Sequence, residues 1–328
     1  MDICPFRTCL SLALFVFPLA AASPSPALLV LNKEDANLAI VDPATKQVVA
    51  RIPTGEGPHE MAVSSDGRLA FVANYGSKTP GSTLSVFDLV AQKELHRVDL
   101  GPLRRPHGIY VADGKVYFTA EVNKLIGRYD PVSNQVDWLL GTGQNSTHMV
   151  MVSKDSDHIY TANISSNSIS IFDRVPGSAA WNQTVVPVGK GPEGMDLSAD
   201  GKQLWTAHSQ DGGVSVIDLA TRRVIETFNV GTQRSNRIKL TLDGKLILIS
   251  DLQAGELVVL DAATHKQIRR MKLGKSPEGI LLEPTGARAY LAVNGDNRID
   301  ILNLKTLEIE GKLETGNGPD GMAWAVTK

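Results

Sequence analysis

Cysteine is nearly absent. The chain holds two in 328 residues, Cys4 and Cys9, both close to its start. If the leader described below is removed, no thiol remains. That excludes a Cys nucleophile, a Cys-ligated zinc, a redox dithiol and any disulfide framework. An excess of either charge is also missing, with 33 basic and 35 acidic residues for a net charge of −2. Nothing drives counterion release from a nucleic acid, and no polybasic run suits an anionic membrane. No amphipathic stretch has helical spacing. Gly-x-Ser-x-Gly, His-Glu-x-x-His, P-loop and dinucleotide fingerprints are all absent.

The one long apolar run lies at the start. Arg7 precedes a stretch from Cys9 to Ala22, broken only by Ser11 and Pro18, and Ala20-Ala21-Ala22 offers small residues for cleavage. This is the layout of a secretory signal peptide and is too short to span a bilayer comfortably. The expectation is a signal over residues 1–22, a linker over 23–26 and one domain over 27–328. The mature protein would be secreted or periplasmic, with no membrane span and no nucleic-acid partner, and monomeric.

What is present is a repeat. GEGPHEMAVSSDGRLAFVANYG is followed by STLSVFDLVAQKELHRVDLG, and the unit recurs. A Gly-rich approach leads into an alternating strand, an Asp-Gly turn, a second strand ending in a polar residue, and two more strands. The copies are anchored at His59, His107, His148, Glu193, Asn236, Glu278 and Asp320, spaced by 48, 41, 45, 43, 42 and 42 residues. Period-2 patterning broken by Asp-Gly and Gly-Pro turns is the strand signal. Four-strand units of this length, repeated about an axis, make a β-propeller. The last copy has only one strand, within Gly316–Thr327. The missing three are at the other end, Ala27–Asn32, Asn37–Asp42 and Gln47–Ile52. The prediction is therefore an all-β, seven-bladed ring of four-stranded antiparallel blades, closed by pairing the two ends.

LAIVDPATKQVVARIPTGEGPHEMAVSSDGRLAFVANYG resembles the YVTN β-propeller repeat. Phe71-Val72-Ala73-Asn74 and Tyr160-Thr161-Ala162-Asn163 stand where that family has Tyr-Val-Thr-Asn. The resemblance covers essentially the whole mature chain. It implies the fold, and a function among surface-layer proteins, binding proteins and enzymes. A more distant similarity is to lactonase-type propellers, with Pro106-His107 and Glu121 in the places of a blade's Pro-Arg-His-like start and of the Glu ending its second strand. That family's later Arg is replaced here by Asn163.

In a propeller the first strand of each blade runs nearest the axis. The start of that strand and the end of the antiparallel second strand meet at one mouth of the channel. The first ring is the seven anchors. The second ring is read as Asn32, Asn74, Glu121, Asn163, His208, Asp251 and Asn294, at an offset of 15 residues in most blades, 14 in the second and 16 in the sixth. Asn at the second position is the repeat's own consensus and suits bonding to turn backbone. Glu121, His208 and Asp251 depart from it.

His59, His107 and His148 lie on three consecutive blades and are the candidate ligands of a divalent metal, zinc or another. The metal-free alternative is acid–base work by His107, Glu121, Glu193 and His208. Asn74, Asn163, Asn236, Asp251 and Glu278 are candidate ligand contacts, and Arg105 could steer an anionic ligand to the mouth. Two functions compete. One is a small-molecule- or metal-binding channel with hydrolase activity on lactone- or ester-like substrates, or lyase activity. The other is a non-enzymatic scaffold for an exported protein or a cell-surface polymer, with partner loops at Gly76–Ser82 and Ser178–Thr184.

Overall fold

The computed structural model describes residues 1 and 23–327. The expected signal at 1–22, with both cysteines, lies outside the described residues apart from Met1. Seven four-stranded antiparallel sheets follow one another round an axis. Blade 1 spans 58–99, blade 2 106–141, blade 3 147–187, blade 4 192–229, blade 5 235–272 and blade 6 277–313. Blade 7 joins Pro319–Ala325 to Ala27–Asn32, Asn37–Asp42 and Gln47–Pro53. The closing register is Ala27↔Ala325, Leu28↔Trp324, Leu29↔Ala323 and Val30↔Met322, as the incomplete last repeat required. No helix among the described residues is long and apolar enough to cross a membrane.

The core is divided among the blade interfaces. Phe71, Leu84 and Val86 of blade 1 pack on Val116, Phe118 and Tyr129 of blade 2. Trp205, Val214 and Val216 of blade 4 pack on Ile247, Ile249 and Val258 of blade 5. Every sheet therefore buries both faces. That is why a middle strand such as Ile247-Leu248-Ile249 is apolar without a break. The outermost strands touch solvent and recover the alternation: Gln135–Gly141 alternates exposed and half-buried residues along its length.

Each innermost strand enters through a bulge between its first and fourth residues, as at Pro58/Met61 and Pro192/Met195. The third residue of the strand sits inside that bulge. It is Gly in four blades: Gly108, Gly194, Gly279 and Gly321. A Cβ on Gly108 would lie 2.6 Å from the backbone oxygen of His148 in the next blade, and one on Gly321 would press on His59 in the same way. Glycine lets the innermost strands approach around the axis. Gly321→Ala should cost about 1–3 kcal/mol, the usual penalty of overpacking. A denaturant midpoint equal to that of the native chain would show that the strands can separate freely there.

Candidate functional site

The second residue of every innermost strand is one of the seven anchors. All seven line one cavity of about 530 Å³ at the mouth of the axial channel. The first ring thus folds where the repeat placed it.

The second ring does not. Its cavity-facing members are Lys33, Tyr75, Glu121, Ile164, Ser209 and Leu252. Each follows the residue that pairs with the first position of the innermost strand: Asn32↔Pro319, Pro58↔Asn74, Pro106↔Ala120, Thr147↔Asn163, Pro192↔His208 and Ser235↔Asp251. Glu121 had been placed in register, and so had Asn294, which follows Val293 opposite Pro277 but lies outside the cavity lining. Successive strand residues point to opposite sides, so reading one residue early selects side chains that turn away from the mouth. Asn74 accepts from the Gly55 N–H at 3.0 Å and donates to Thr83 and Ser85. Asn163 accepts from Thr147 and Thr161. Asp251 accepts from the backbone N–H groups of Gln233, Arg234 and Ala254. His208 is fully buried against Asp211, 3.0 Å away, and burial lowers its pKa. These four, expected at the mouth, instead tie the turns between strands together. Arg105 lies outside the cavity lining, its guanidinium carbon 4.6 Å from the centre of the Tyr75 ring.

The three histidines of blades 1–3 meet. The ring centroids of His59 and His107 are 4.6 Å apart, edge to face, and those of His107 and His148 are 3.6 Å apart, stacked. Tyr75 stacks on His59 at 4.9 Å and meets His107 edge-on at 5.4 Å. Glu121 joins the group from behind, 2.5 Å from Nδ1 of His148 and 2.7 Å from the Tyr75 hydroxyl. With Nδ1 of His148 donating to the carboxylate, its Nε2 carries the lone pair. That Nε2 is buried and unbonded, as are Nδ1 of His59 and Nδ1 of His107. Burial pushes His59 down to about 3 and His107 well below its ordinary value, the neighbouring imidazoles adding to the effect on His107. Both are neutral imidazoles at physiological pH. Burial, then the Glu121 charge, raises the Tyr75 phenol to about 12, so it stays a donor.

Blades 4–7 supply a carboxylate-rich wall. Asn236 donates to Glu193 at 2.8 Å. Lys33 lies 3.3 Å from Glu278 and 3.4 Å from Asp320. Burial and the adjacent Asp320 raise Glu278 above the usual carboxylate range, whereas Lys33 and Arg237 help to outweigh burial and keep Asp320 below it. Arg237 is the third residue of its strand, where four blades have glycine. Its guanidinium is ion-paired with Glu60, the third residue in blade 1. Burial works against its charge, but Glu60, Asp320, Glu193 and Glu278 together hold its pKa above the ordinary value. Sequence reasoning missed Lys33, Tyr75, Arg237 and Glu60. For the first two the signal was parity: offsets of 14 and 16 select the same strand face, and 15 selects the other.

The sequence profile described as YNCE-like beta-propeller matches residues 3–185, over half of the chain. The chain belongs to the YNCE-like beta-propeller family. No curated protein matches it in sequence. Solved structures resemble this YNCE-like propeller in fold. The periplasmic gluconolactonase PpgL of Pseudomonas aeruginosa superposes with a TM-score of 0.75 at 14% identity, over 93% of this chain and 100% of that one. A putative 6-phosphogluconolactonase from Bacteroides uniformis gives 0.75 at 16% identity, over 92% and 99%. Hydrazine synthase from Kuenenia stuttgartiensis gives 0.70 at 21% identity, over 81% and 88%. Identities this low bear on the fold alone.

Proposed function

We propose that this protein is an exported propeller whose axial cavity holds a divalent transition-metal ion on His59, His107 and His148 and presents a small molecule to it. The observation that carries this reading is the set of three imidazoles on consecutive blades, each with a buried, unbonded ring nitrogen. Imidazole nitrogen is the commonest protein ligand for such ions, and a carboxylate on the second ring nitrogen is the usual means of orienting one. Glu121 stands in that place behind His148, and Tyr75 holds Glu121. A ligand atom from each of His107, Glu121 and His148 can be chosen so that all lie within 4.8 Å of one another. A tetrahedral zinc site brings such atoms to roughly 3.3 Å. The group of His107, Glu121 and His148 has Glu121 in place of His59, so a site on the three imidazoles requires their rings to turn until the lone pairs converge.

A dication at this place would polarise a carbonyl oxygen or lower the pKa of water towards about 7. Opposite it, Glu278 can give a proton to a leaving oxygen and Glu193 can accept one. Hydrolysis of a lactone- or ester-like bond is the reaction this set serves best. The propeller gluconolactonase and the putative phosphogluconolactonase agree with it in fold, and the former is described as periplasmic. The leader-like start, Arg7 before an apolar run, supports export.

Elemental mass spectrometry of the purified protein tests this. Near-stoichiometric metal is expected, falling to background in His59→Ala/His107→Ala/His148→Ala with the far-ultraviolet circular dichroism unchanged. A native chain that takes up no zinc, copper or manganese would overturn the metal reading and leave a disc that binds partners through its blade loops.

A further inference from the structure

Asp320 is the carboxylate in the cavity that the protein leaves open. It is 1% exposed, yet neither of its oxygens accepts a hydrogen bond. Lys33 and His59 each stand 3.4 Å from the same oxygen without aligning on it. Its neighbours are served: Glu193 by Asn236, Glu278 by Lys33 and Glu60 by Arg237. A buried carboxylate whose ion pairs bring no aligned hydrogen bond is incompletely satisfied, and its oxygens can take a pair of donors from a ligand.

The surroundings restrict what those donors belong to. A ligand ammonium would sit against Lys33. A carboxylate or phosphate at this place would meet Asp320 and Glu193, with Lys33 and Arg237 already paired to carboxylates and the remaining lining cation, Arg234, exposed to solvent. A flat aromatic ligand would find Ile164 and Leu252 as aliphatic lining, while the rings of Tyr75, His59, His107 and His148 are already packed on one another. A pair of adjacent hydroxyl groups fits without conflict. Each can donate to one oxygen of Asp320, and either can accept from Lys33, because a hydroxyl is both donor and acceptor.

We infer that the cavity takes a neutral, unphosphorylated polyhydroxy compound, anchored by two adjacent hydroxyls on Asp320. This rests on the axial cavity being the ligand site. It does not depend on the metal.

Calorimetric titration tests it on native and chelator-stripped protein, with myo-inositol and glucose as neutral probes, glucosamine as the cationic one, glucuronate as the anionic one and cyclohexanol as the single-hydroxyl control. The neutral polyols should bind both forms of the protein. The charged probes should bind at least about tenfold more weakly, as befits a charged hydrogen bond lost or an unpaired charge buried. Asp320→Asn should weaken polyol binding by a similar factor in the chelator-stripped protein. Equal or tighter binding of glucuronate or glucosamine, or polyol affinity unaltered in Asp320→Asn, would overturn the inference, and the ranking on native protein stands even if the variant does not fold. Polyol binding in a protein that holds no metal would sink the metal centre alone. Metal without polyol binding would sink this inference alone.

Discussion

Removing residues 324–328 should open the ring and abolish its cooperative unfolding transition near the native midpoint. The deletion takes away Trp324 and Ala325, which pair with Leu28 and Ala27. Trp324 also donates its indole N–H to the Leu282 oxygen at 2.9 Å and packs edge-on to Tyr290 at 5.2 Å, so it ties blade 7 to blade 6. The Thr327 N–H reaches Ser25 at 3.1 Å from the same segment. Losing a large aromatic from such an interface costs about 3–5 kcal/mol, a large part of a typical domain's stability. The remaining innermost strand of blade 7 keeps a shortened seam, Leu29↔Ala323, Val30↔Met322 and Asn32↔Pro319, and an opened propeller exposes two sheet edges. Calorimetry decides the matter. A truncated chain melting within a few degrees of the native one would mean that the three N-terminal strands hold blade 7 unaided.

Arg237→Met should be the most damaging single substitution in the cavity floor. Arg237 and Glu60 are 177 positions apart and meet as an ion pair, with side chains 10% and 16% exposed. Taking away the guanidinium leaves Glu60 part-buried without its partner and also strips a compensating charge from Asp320, Glu193 and Glu278. Breaking a buried pair from one side costs about 3–5 kcal/mol, mostly from the charge left behind. The double variant Glu60→Gln/Arg237→Met should recover much of that loss, since neither orphan remains. Urea titrations of the two single variants and the double one measure the coupling. Additive losses would show that the two side chains act independently and that the floor of the cavity is not held by their pairing.

Much of this molecule is written locally. The seven repeats, the four strands of each blade and the closure of the ring follow from turn residues and spacing. So does the first ring: each anchor follows directly on a strand's first residue, Pro in five blades, and a strand start is a local event. The second ring was legible only modulo one residue. Glu121 was found because blade 2 is shorter, with Pro106 opposite Ala120 where blade 1 has Pro58 opposite Asn74. In blades 1, 3 and 7 the consensus Asn drew the eye to the residue that builds the turn, and Tyr75 and Lys33 beside it passed unnoticed.

The sequence by itself determined a closed seven-bladed propeller with His59, His107 and His148 side by side at one mouth. Those features depend on period, turn chemistry and blade order, all carried by short stretches of chain. Only the tertiary structure decided that Tyr75 and not Asn74 faces the cavity, because a strand's period of two turns a one-residue slip into the opposite direction. It alone brought Arg237 to Glu60 and left Asp320 without an aligned hydrogen bond. Contacts across the axis join blades far apart in the chain, and whether a buried carboxylate finds a partner depends on every wall of the cavity at once.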